Sequence, residues 1–207
     1  LNGFISEKGV DTSAYGGTVE QIQVNDEVYA LPFRSDFWVV FYNKDLFDNA
    51  GVPYPTNDMT LDQYEEIARK MTSGSGSEKV YGAHNHTWRS AVQLFGILDG
   101  QNTVVDGNYD FLKPTYERFL KMQDDGIIMD YATLKTSSTH YSGVFYNNSV
   151  AMMNMGSWFI ATQIEKVKSG ESQAVNWGIV KYPHPDGVEA GTTLGTITSL
   201  AVNKKSA

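Results

Sequence analysis

The sequence contains no cysteine in its 207 residues. This absence excludes disulfide bridges, thiolate nucleophiles and metal sites built on cysteine. It does not by itself assign the protein to a compartment. Long apolar runs are missing as well, and the longest is far shorter than the roughly 20 residues that a membrane-spanning helix needs. The ordinary shares of apolar residues (41%) and charged residues (19%) are typical of a globular protein.

Basic residues are in the minority. There are 16 lysines and arginines against 24 aspartates and glutamates, which gives a formal net charge of −8. An acidic surface does not favour binding to a nucleic-acid backbone, and no cluster of basic residues stands out in the sequence. We therefore expect no nucleic-acid partner.

The common catalytic motifs are also missing. The sequence has no G-x-S-x-G, no H-E-x-x-H and no P-loop. A glycosidase would need two carboxylates across a cleft, and only Asp36, which interrupts an apolar strand, has a fitting position. We therefore expect no enzymatic activity and no cofactor, with a carbohydrate-active enzyme kept as an alternative.

The chain is organised around a strongly apolar stretch at residues 37–42. All six residues are β-branched or aromatic, which predicts a strand. A continuous apolar run of this length is typical of a strand that is buried on both faces, as in a parallel sheet. Aromatic residues make up 13% of the chain, and most of them are expected in the core.

Helices are predicted after this strand. Asn43 or Asp45 fits near the N-cap of a short helix, and Gly51 is placed to end it. Thr60 with Gln63 forms a capping box for the next helix. An apolar face at helical spacing supports that second helix: Leu61, Tyr64, Ile67, Ala68 and Met71. Further helices are predicted at 88–98 and 111–123, the latter with an apolar side of Tyr116, Phe119, Leu120 and Met122.

The order of these elements resembles the extracellular solute-binding proteins of ABC importers, in the sugar-binding family that includes maltose-binding protein. That family shows an "LP" strand, then "YNKDLF", "AG", one or two prolines and a helix starting at threonine. The corresponding residues here are Leu31-Pro32, Tyr42-Asn43-Lys44-Asp45-Leu46-Phe47, Ala50-Gly51, Pro53, Pro55 and Thr60.

A second resemblance lies at residues 144–158. The family shows a phenylalanine, a polar turn, "AM" and then "G-x-W". The corresponding residues here are Phe145, Asn147-Asn148-Ser149, Ala151-Met152 and Gly156-Ser157-Trp158. The turn differs, because Asn-Asn-Ser replaces the commoner Gly-Lys-Ala. The glycine-rich segment 191–202 is similar to a strand with which the family returns to its first lobe.

The resemblance implies an α/β fold: one periplasmic-binding-protein-like lobe with a mainly parallel sheet flanked by helices. It implies three parts, with residues 1–36 a remnant of the first lobe, 37–196 the second lobe, and 197–207 a return crossing. Hinge segments are expected at 34–36 and 196–198. Since the sequence has neither an initiator Met nor a signal peptide, we interpret it as a fragment.

The resemblance places a ligand-stacking aromatic residue at Trp158, beside Gly156 and Ser157 at a strand-to-helix turn. There, side chain and free backbone N–H groups can both face a cleft. The alternative for Trp158 is a core position. Asp36 matches an acidic sugar-contacting residue of the family, and a carboxylate accepts strong hydrogen bonds from hydroxyls; the alternative is a solvated hinge residue. Arg34 and Ser35 are neighbouring candidates, and Arg34 is a possible ion-pair partner of Asp36.

Residues 84–89 follow a predicted short strand, and ligands bind at the carboxyl ends of strands in open α/β sheets. Trp88 is a second candidate platform, and His86 and Arg89 are candidate hydroxyl donors. We do not interpret His84 and His86 as a metal site, because no carboxylate lies at a suitable spacing. Gly195 and Thr196 are expected to line the cleft, where small residues let a ligand approach the backbone.

The function implied by the resemblance is binding of a sugar or oligosaccharide in a cleft between two lobes, and its delivery to the permease of an ABC transporter. The expected location is extracellular or periplasmic, with a lipoprotein anchor in the full-length protein, and the expected state is a monomer. A binding protein for another polar solute, such as a peptide or polyamine, remains an alternative.

Overall fold

The protein is described from a computed structural model that covers residues 1–203 and 205. Positions 204, 206 and 207 of the predicted return crossing lie outside the described residues. Within the described part, no helix is both long and apolar enough to cross a membrane.

Nine α-helices and five strands form the described chain. The helices are α1 (Asn2–Lys8), α2 (Thr18–Gln21), α3 (Lys44–Ala50), α4 (Leu61–Met71), α5 (Ser90–Ile97), α6 (Lys113–Asp124), α7 (Tyr131–Thr136), α8 (Tyr141–Tyr146) and α9 (Phe159–Lys168). The strands are β1 (Ala30–Asn43), β2 (Tyr81–His84), β3 (Val150–Gly156), β4 (Trp177–Lys181) and β5 (Gly195–Ala201).

The chain divides into two compact units. The smaller unit holds residues 1–37 and 195–207, and the larger unit holds residues 38–194. In the smaller unit, the first part of β1 pairs antiparallel with β5. The register of this pairing shifts between Pro32 and Arg34, since proline has no N–H to donate to a ladder.

The larger unit contains a sheet in the order β2–β3–β1–β4. Its α/β class agrees with the prediction, but the prediction of a mainly parallel sheet was wrong. Of the pairings described in this sheet, β1 with β3 and β1 with β4 are antiparallel, and β2 with β3 is parallel. The apolar run in β1 shows only that the strand is buried on both faces. An antiparallel sheet that has side chains packed on both faces buries its strands in the same way.

Two hydrophobic clusters bury the two faces of β1, which sends alternate residues to each. Trp38, Val40 and Tyr42 enter one cluster, with side chains of α4, α5 and α6. Val39 and Phe41 enter the other, with side chains of α8, β3 and α9. This alternation follows from the two-residue period of a strand, and it explains why residues 38–43 are all buried.

The predicted helix boundaries around β1 are confirmed. Asn43 caps α3, since its side chain accepts a hydrogen bond from the Leu46 N–H, and Gly51 ends α3 in the left-handed conformation at φ 65°. At α4 both bonds of the capping box between Thr60 and Gln63 are present. These signals are local, so the chain fixes them without distant partners.

Three predictions further along the chain need correction. Helix α5 begins at Ser90, so Trp88 lies in the preceding loop. Helix α6 begins at Lys113, after a short 3-10 turn. Leu120 does not pack into the core with Phe119, because its side chain is 54% exposed. Residues 133–142, described from the sequence only as a polar stretch, contribute to α7 and α8.

Candidate functional site

Three tryptophans gather at one edge of the larger unit's sheet. Trp38 lies opposite Gly156 in the β1–β3 pairing, which brings Trp38 to the end of β3 that precedes Trp158. Trp88 arrives from the loop after β2, whose parallel pairing with β3 directs both carboxyl ends to the same edge. The strand register therefore assembles what we call the tryptophan cluster: Trp38, Trp88 and Trp158.

The three indoles contact one another. The ring centroids of Trp38 and Trp158 are 5.6 Å apart at 85°, and those of Trp38 and Trp88 are 6.3 Å apart at 86°. Trp88 and Trp158 are 6.1 Å apart at 56°. Edge-to-face packing of this kind stabilises aromatic pairs beyond the area that they bury. Trp38 is 2% exposed whereas Trp88 is 40% exposed, so the cluster has a buried base and an accessible rim.

Two further side chains extend the rim beside Trp88. His86 meets Trp88 at 4.7 Å between ring centroids and Tyr141 at 5.2 Å. Tyr141, at the start of α8, also lies 5.6 Å from Trp88 and 4.0 Å from the ring of His140. The rim thus combines apolar ring faces with imidazole and phenol groups that can exchange hydrogen bonds with hydroxyls.

His84 at the end of β2 and His86 in the loop after it are held in the neutral form. Burial lowers the pKa of His84 to about 3, with smaller contributions from His86 and His140. The pKa of His86 is also lowered, first by burial and then by His140 and Lys135. A neutral imidazole can accept a hydrogen bond as well as donate one, which suits a neutral polar ligand.

A buried polar pair lies behind this rim. Asn154 of β3 donates through Nδ2 to Oδ1 of Asn85 at 3.1 Å, and the two residues are 0% and 8% exposed. Nδ2 of Asn85 and Nδ1 of His86 have no hydrogen-bond partner among the described residues. Buried polar atoms are costly to leave unpaired, so these two atoms are available to a ligand or to water.

A cavity of about 380 Å³ adjoins Trp88. It lies between α5, α6 and α7, and its wall includes Trp88, Val92, Phe119, Leu120, Ile128 and Tyr131. Asn85, His86, Arg89 and Gln123 add polar groups to the same wall. The volume falls within the range of small-molecule sites.

The remaining predicted residues belong to the smaller unit. Arg34 and Asp36 form the anticipated ion pair, with Nε 2.6 Å from Oδ2. Asp36 is 5% exposed while Arg34 is largely exposed. Thr196 is the register partner of Asp36, Gly195 that of Phe37, and Ser35 is exposed on the same strand.

The structure therefore brings together Trp158, Gly156, Trp88 and His86, with Arg89 at the adjoining cavity. Ser157 lies half-buried beside them. Their role in binding stays a prediction. Sequence reasoning missed other members of the assembly: Trp38, His140 and Tyr141. Trp38 gave no separate signal, because it lies within an apolar run, and the contact of Tyr141 with the cluster depends on pairing between distant segments.

Among residues 1–203 and 205, no group of three histidine, aspartate or glutamate side chains is placed to hold a metal ion. The rings of His84 and His86 are 5.9 Å apart, and the charged groups that act on the pKa of these two residues are positively charged or other histidines.

Comparison with known proteins assigns a family. The family model of bacterial extracellular solute-binding proteins matches residues 5–207. The chain belongs to this family. The assignment agrees with the resemblance carried by residues 42–60 and 144–158. Members of this solute-binding family work outside the cytoplasm, in the extracellular space or the periplasm.

Solved structures and curated relatives extend this result. A sugar transporter from Rhizobium etli in an open conformation is 60% identical, with a TM-score of 0.83 over 98% of this chain and 51% of that chain. An ABC substrate-binding protein from Listeria monocytogenes in complex with cycloalternan is 21% identical, with a TM-score of 0.80 over 100% of this chain and 52% of that chain.

A lactose-binding protein from Rhizobium radiobacter is 24% identical over an alignment of 188 residues, and the match covers 86% of this chain and 42% of the relative. The chain thus spans about half the length, or less, of the solute-binding proteins that it matches. The likeness at 21% identity shows the fold, and the family model shows the membership.

Proposed function

We propose that this solute-binding chain is part of the substrate-binding component of an ABC importer, that its ligand is a sugar or oligosaccharide, and that it delivers this ligand to the permease. The observation that carries the proposal is the tryptophan cluster with its histidine and tyrosine rim. The sugar transporter from Rhizobium etli, at 60% identity, supports the same ligand class.

The chemistry of a sugar explains why such a cluster suits it. A pyranose presents C–H groups on its faces, which pack on an aromatic ring, and hydroxyl groups around its edge. Indole rings combine a large apolar face with an N–H donor. Because Trp38 is buried beneath Trp158 and Trp88, the two outer rings are held in position before any ligand binds, which lowers the ordering cost of binding.

Individual roles follow within this proposal. Trp158 and Trp88 stack on sugar rings, and His86 and Arg89 exchange hydrogen bonds with hydroxyls. Asp36, oriented by Arg34, is proposed as a carboxylate acceptor. Ser35, Gly195 and Thr196 of the smaller unit, and Gly156 and Ser157 of the larger unit, are proposed as further ligand contacts. The interpretation of 34–36 and 196–198 as hinge segments stays a prediction, as do the domain limits, the monomeric state and the lipoprotein anchor.

We infer a binding role without catalysis, because the matched family consists of solute-binding proteins. In addition, the described wall of the cavity beside Trp88 contains no aspartate or glutamate. Retaining and inverting glycosidases both need a pair of carboxylates. Hydrolysis of a chromogenic glycoside by the purified protein would contradict this inference.

The experiment that tests the proposal is thermal unfolding of the whole protein against a panel of mono- and oligosaccharides, followed by calorimetric titration of each hit. A ligand at 100 times its dissociation constant adds about 2.7 kcal/mol of stability. Trp158→Ala should weaken binding of the hit at least about tenfold without unfolding the protein, since one good aromatic contact contributes about 1.4 kcal/mol.

The matched control is Trp177→Ala. Trp177 packs on Phe41 with ring centroids 6.0 Å apart, and among the described residues its ring does not contact Trp38, Trp88 or Trp158. This variant should lose stability and keep its affinity. If no saccharide in the panel stabilises the protein, the proposal of a sugar ligand loses its support. If Trp158→Ala binds the hit with unchanged affinity, the stacking role of Trp158 is wrong.

A further inference from the structure

The cavity between α5, α6 and α7 differs from the rest of the protein in its charge. The whole chain carries a formal net charge of −8, yet the described wall of this cavity contains Arg89 and no aspartate or glutamate. Arg89 is exposed and makes no ion pair with the described residues. By contrast, Arg34, Arg69 and Arg118 each bind a carboxylate.

A second cation stands close to this wall. Nζ of Lys135 lies 5.9 Å from the ring centroid of Tyr131, which lines the cavity. Asp130 precedes Tyr131, but its two carboxylate oxygens accept hydrogen bonds from the backbone N–H and the hydroxyl of Thr133. Asp130 keeps its negative charge in these hydrogen bonds, yet it does not line the cavity and forms no ion pair with Arg89 among the described residues.

Three polar side chains of the wall present hydrogen-bond donors: Asn85, Gln123 and Arg89. Asn85 is 8% exposed, its Oδ1 is occupied by Asn154, and its Nδ2 has no partner among the described residues. Oε1 of Gln123 accepts from the Tyr131 N–H at 3.0 Å, which leaves its amide N–H groups as donors. Arg89 adds the donors of a guanidinium group. A ligand with strong acceptor groups complements these three side chains.

The apolar part of the wall sets the shape of the ligand. Trp88, Phe119, Leu120, Ile128 and Tyr131 surround a volume of about 380 Å³, which accommodates one six-membered ring with its substituents. Leu120 is 54% exposed and Tyr131 53% exposed, so apolar surface is available at this cavity. Exposed apolar surface beside unpaired donors is typical of a binding site.

We propose that this cavity binds a six-membered ring that carries a carboxylate, with the ring against Trp88 and Leu120 and the carboxylate at Arg89 and Nδ2 of Asn85. The ring can be a hexuronate unit of a saccharide or an aromatic acid, since both combine an apolar face with a carboxylate. The hexuronate form deepens the proposed function, on which it rests, by naming acidic saccharides as the substrate class.

The test is calorimetric titration of the whole protein with two matched pairs: D-galacturonate against D-galactose, and benzoate against benzyl alcohol. Hydrogen bonds to a charged group are stronger than those between neutral groups, so the carboxylate member of at least one pair should bind about tenfold tighter or more. A preference for galacturonate over galactose identifies the ring as a hexuronate, and a preference for benzoate over benzyl alcohol identifies it as an aromatic acid.

Two variants locate the effect. Arg89→Gln should reduce the preference for the carboxylate at least about tenfold. Leu120→Asp places a negative charge at the cavity, which should repel the ligand's carboxylate and abolish the preference for it. Because Leu120 is exposed, the protein should still fold. The matched control is Lys121→Gln, which removes a cation next to Leu120 that does not line the cavity, and which should leave the preference unchanged.

The outcomes separate this inference from the proposed function. If saccharides bind and depend on Trp158 while neither pair shows a carboxylate preference, the inference is wrong and the proposed function stands. If saccharides of every kind fail and benzoate binds in an Arg89-dependent way, the proposed function is wrong and the cavity chemistry stands. A preference that persists in Arg89→Gln, or no binding of either carboxylate, also overturns the inference.

Discussion

Gly156 lies directly beneath the indole ring of Trp158. A Cβ atom added at position 156 would stand 2.0 Å from Cζ3 and 2.2 Å from Cη2 of that ring, far closer than carbon atoms approach without bonding. The glycine is therefore required for the ring to take its place against Trp38. This relationship explains in physical terms why glycine and tryptophan occur two residues apart in this segment.

Gly156→Ala should move the Trp158 ring and disturb the tryptophan cluster. We expect a loss of about 1–3 kcal/mol in the free energy of unfolding, typical of overpacking in a dense site, together with weaker binding of the saccharide hit. Denaturant unfolding and calorimetric titration measure the two effects. The matched control is Gly143→Ala in α8, where the added methyl group meets nothing within 4 Å. There we expect a gain of about 0.5–1 kcal/mol, since alanine is the better helix former. Equal behaviour of the two variants would contradict the steric argument.

The buried imidazole of His84 should make the protein less stable in mild acid. Burial lowers its folded-state pKa to about 3, below the ordinary value of 6.5. As the pH falls below about 6.5, the unfolded chain takes up a proton at this residue that the folded protein does not. Stability at this group is therefore complete above pH 6.5 and decreases toward pH 3, by up to about 1.4 kcal/mol for each pH unit.

Urea unfolding between pH 7 and pH 5 measures this slope. In that window the carboxylates with lowered pKa values, such as Asp125 and Asp130, remain ionised and add little. His84→Gln should reduce the slope without abolishing it, because burial also lowers the pKa of His86. His140→Gln, at an exposed position, should keep most of the slope. A steep slope that survives in His84→Gln would assign the effect to another group.

Glu65 of α4 binds two arginines, Arg69 on its own helix and Arg118 on α6. Its Oε1 lies 2.7 Å from Nη2 of Arg69, and its Oε2 lies 2.8 Å from Nη1 of Arg118. Glu65→Gln should lower the free energy of unfolding by about 1 kcal/mol, the upper end for surface pairs, because one carboxylate serves two cations. The loss should shrink as salt is added, since ions screen the interaction.

The matched control for this network is Glu66→Gln on the same helix. Glu66 binds Lys70 alone, and both side chains are more than half exposed. This substitution should cost less than about 0.5 kcal/mol. If the two variants lose the same stability at low salt, the paired arginines contribute nothing beyond an ordinary surface ion pair.

The sequence by itself determined the features that depend on neighbouring residues. The strand at 37–42, the ends of α3 and the capping box of α4 were predicted from residues within a few positions of one another. The family motifs at residues 42–60 and 144–158 led to the family that the comparisons confirm. Such signals are readable because caps, turns and apolar periodicity act over one or two turns of chain.

Only the tertiary structure decided the direction of the strands and the composition of the tryptophan cluster. Whether β1 pairs parallel or antiparallel with β3 depends on segments more than a hundred residues apart, and the burial pattern of β1 alone is compatible with both. Trp38 joined Trp88 and Trp158 for the same reason, because its place in the cluster follows from its pairing with Gly156. Residues 133–142 lacked an apolar run, yet Leu134 of α7 is buried against its neighbours in the fold. Long-range register is fixed by the packing of whole faces against each other, and no single segment carries that information.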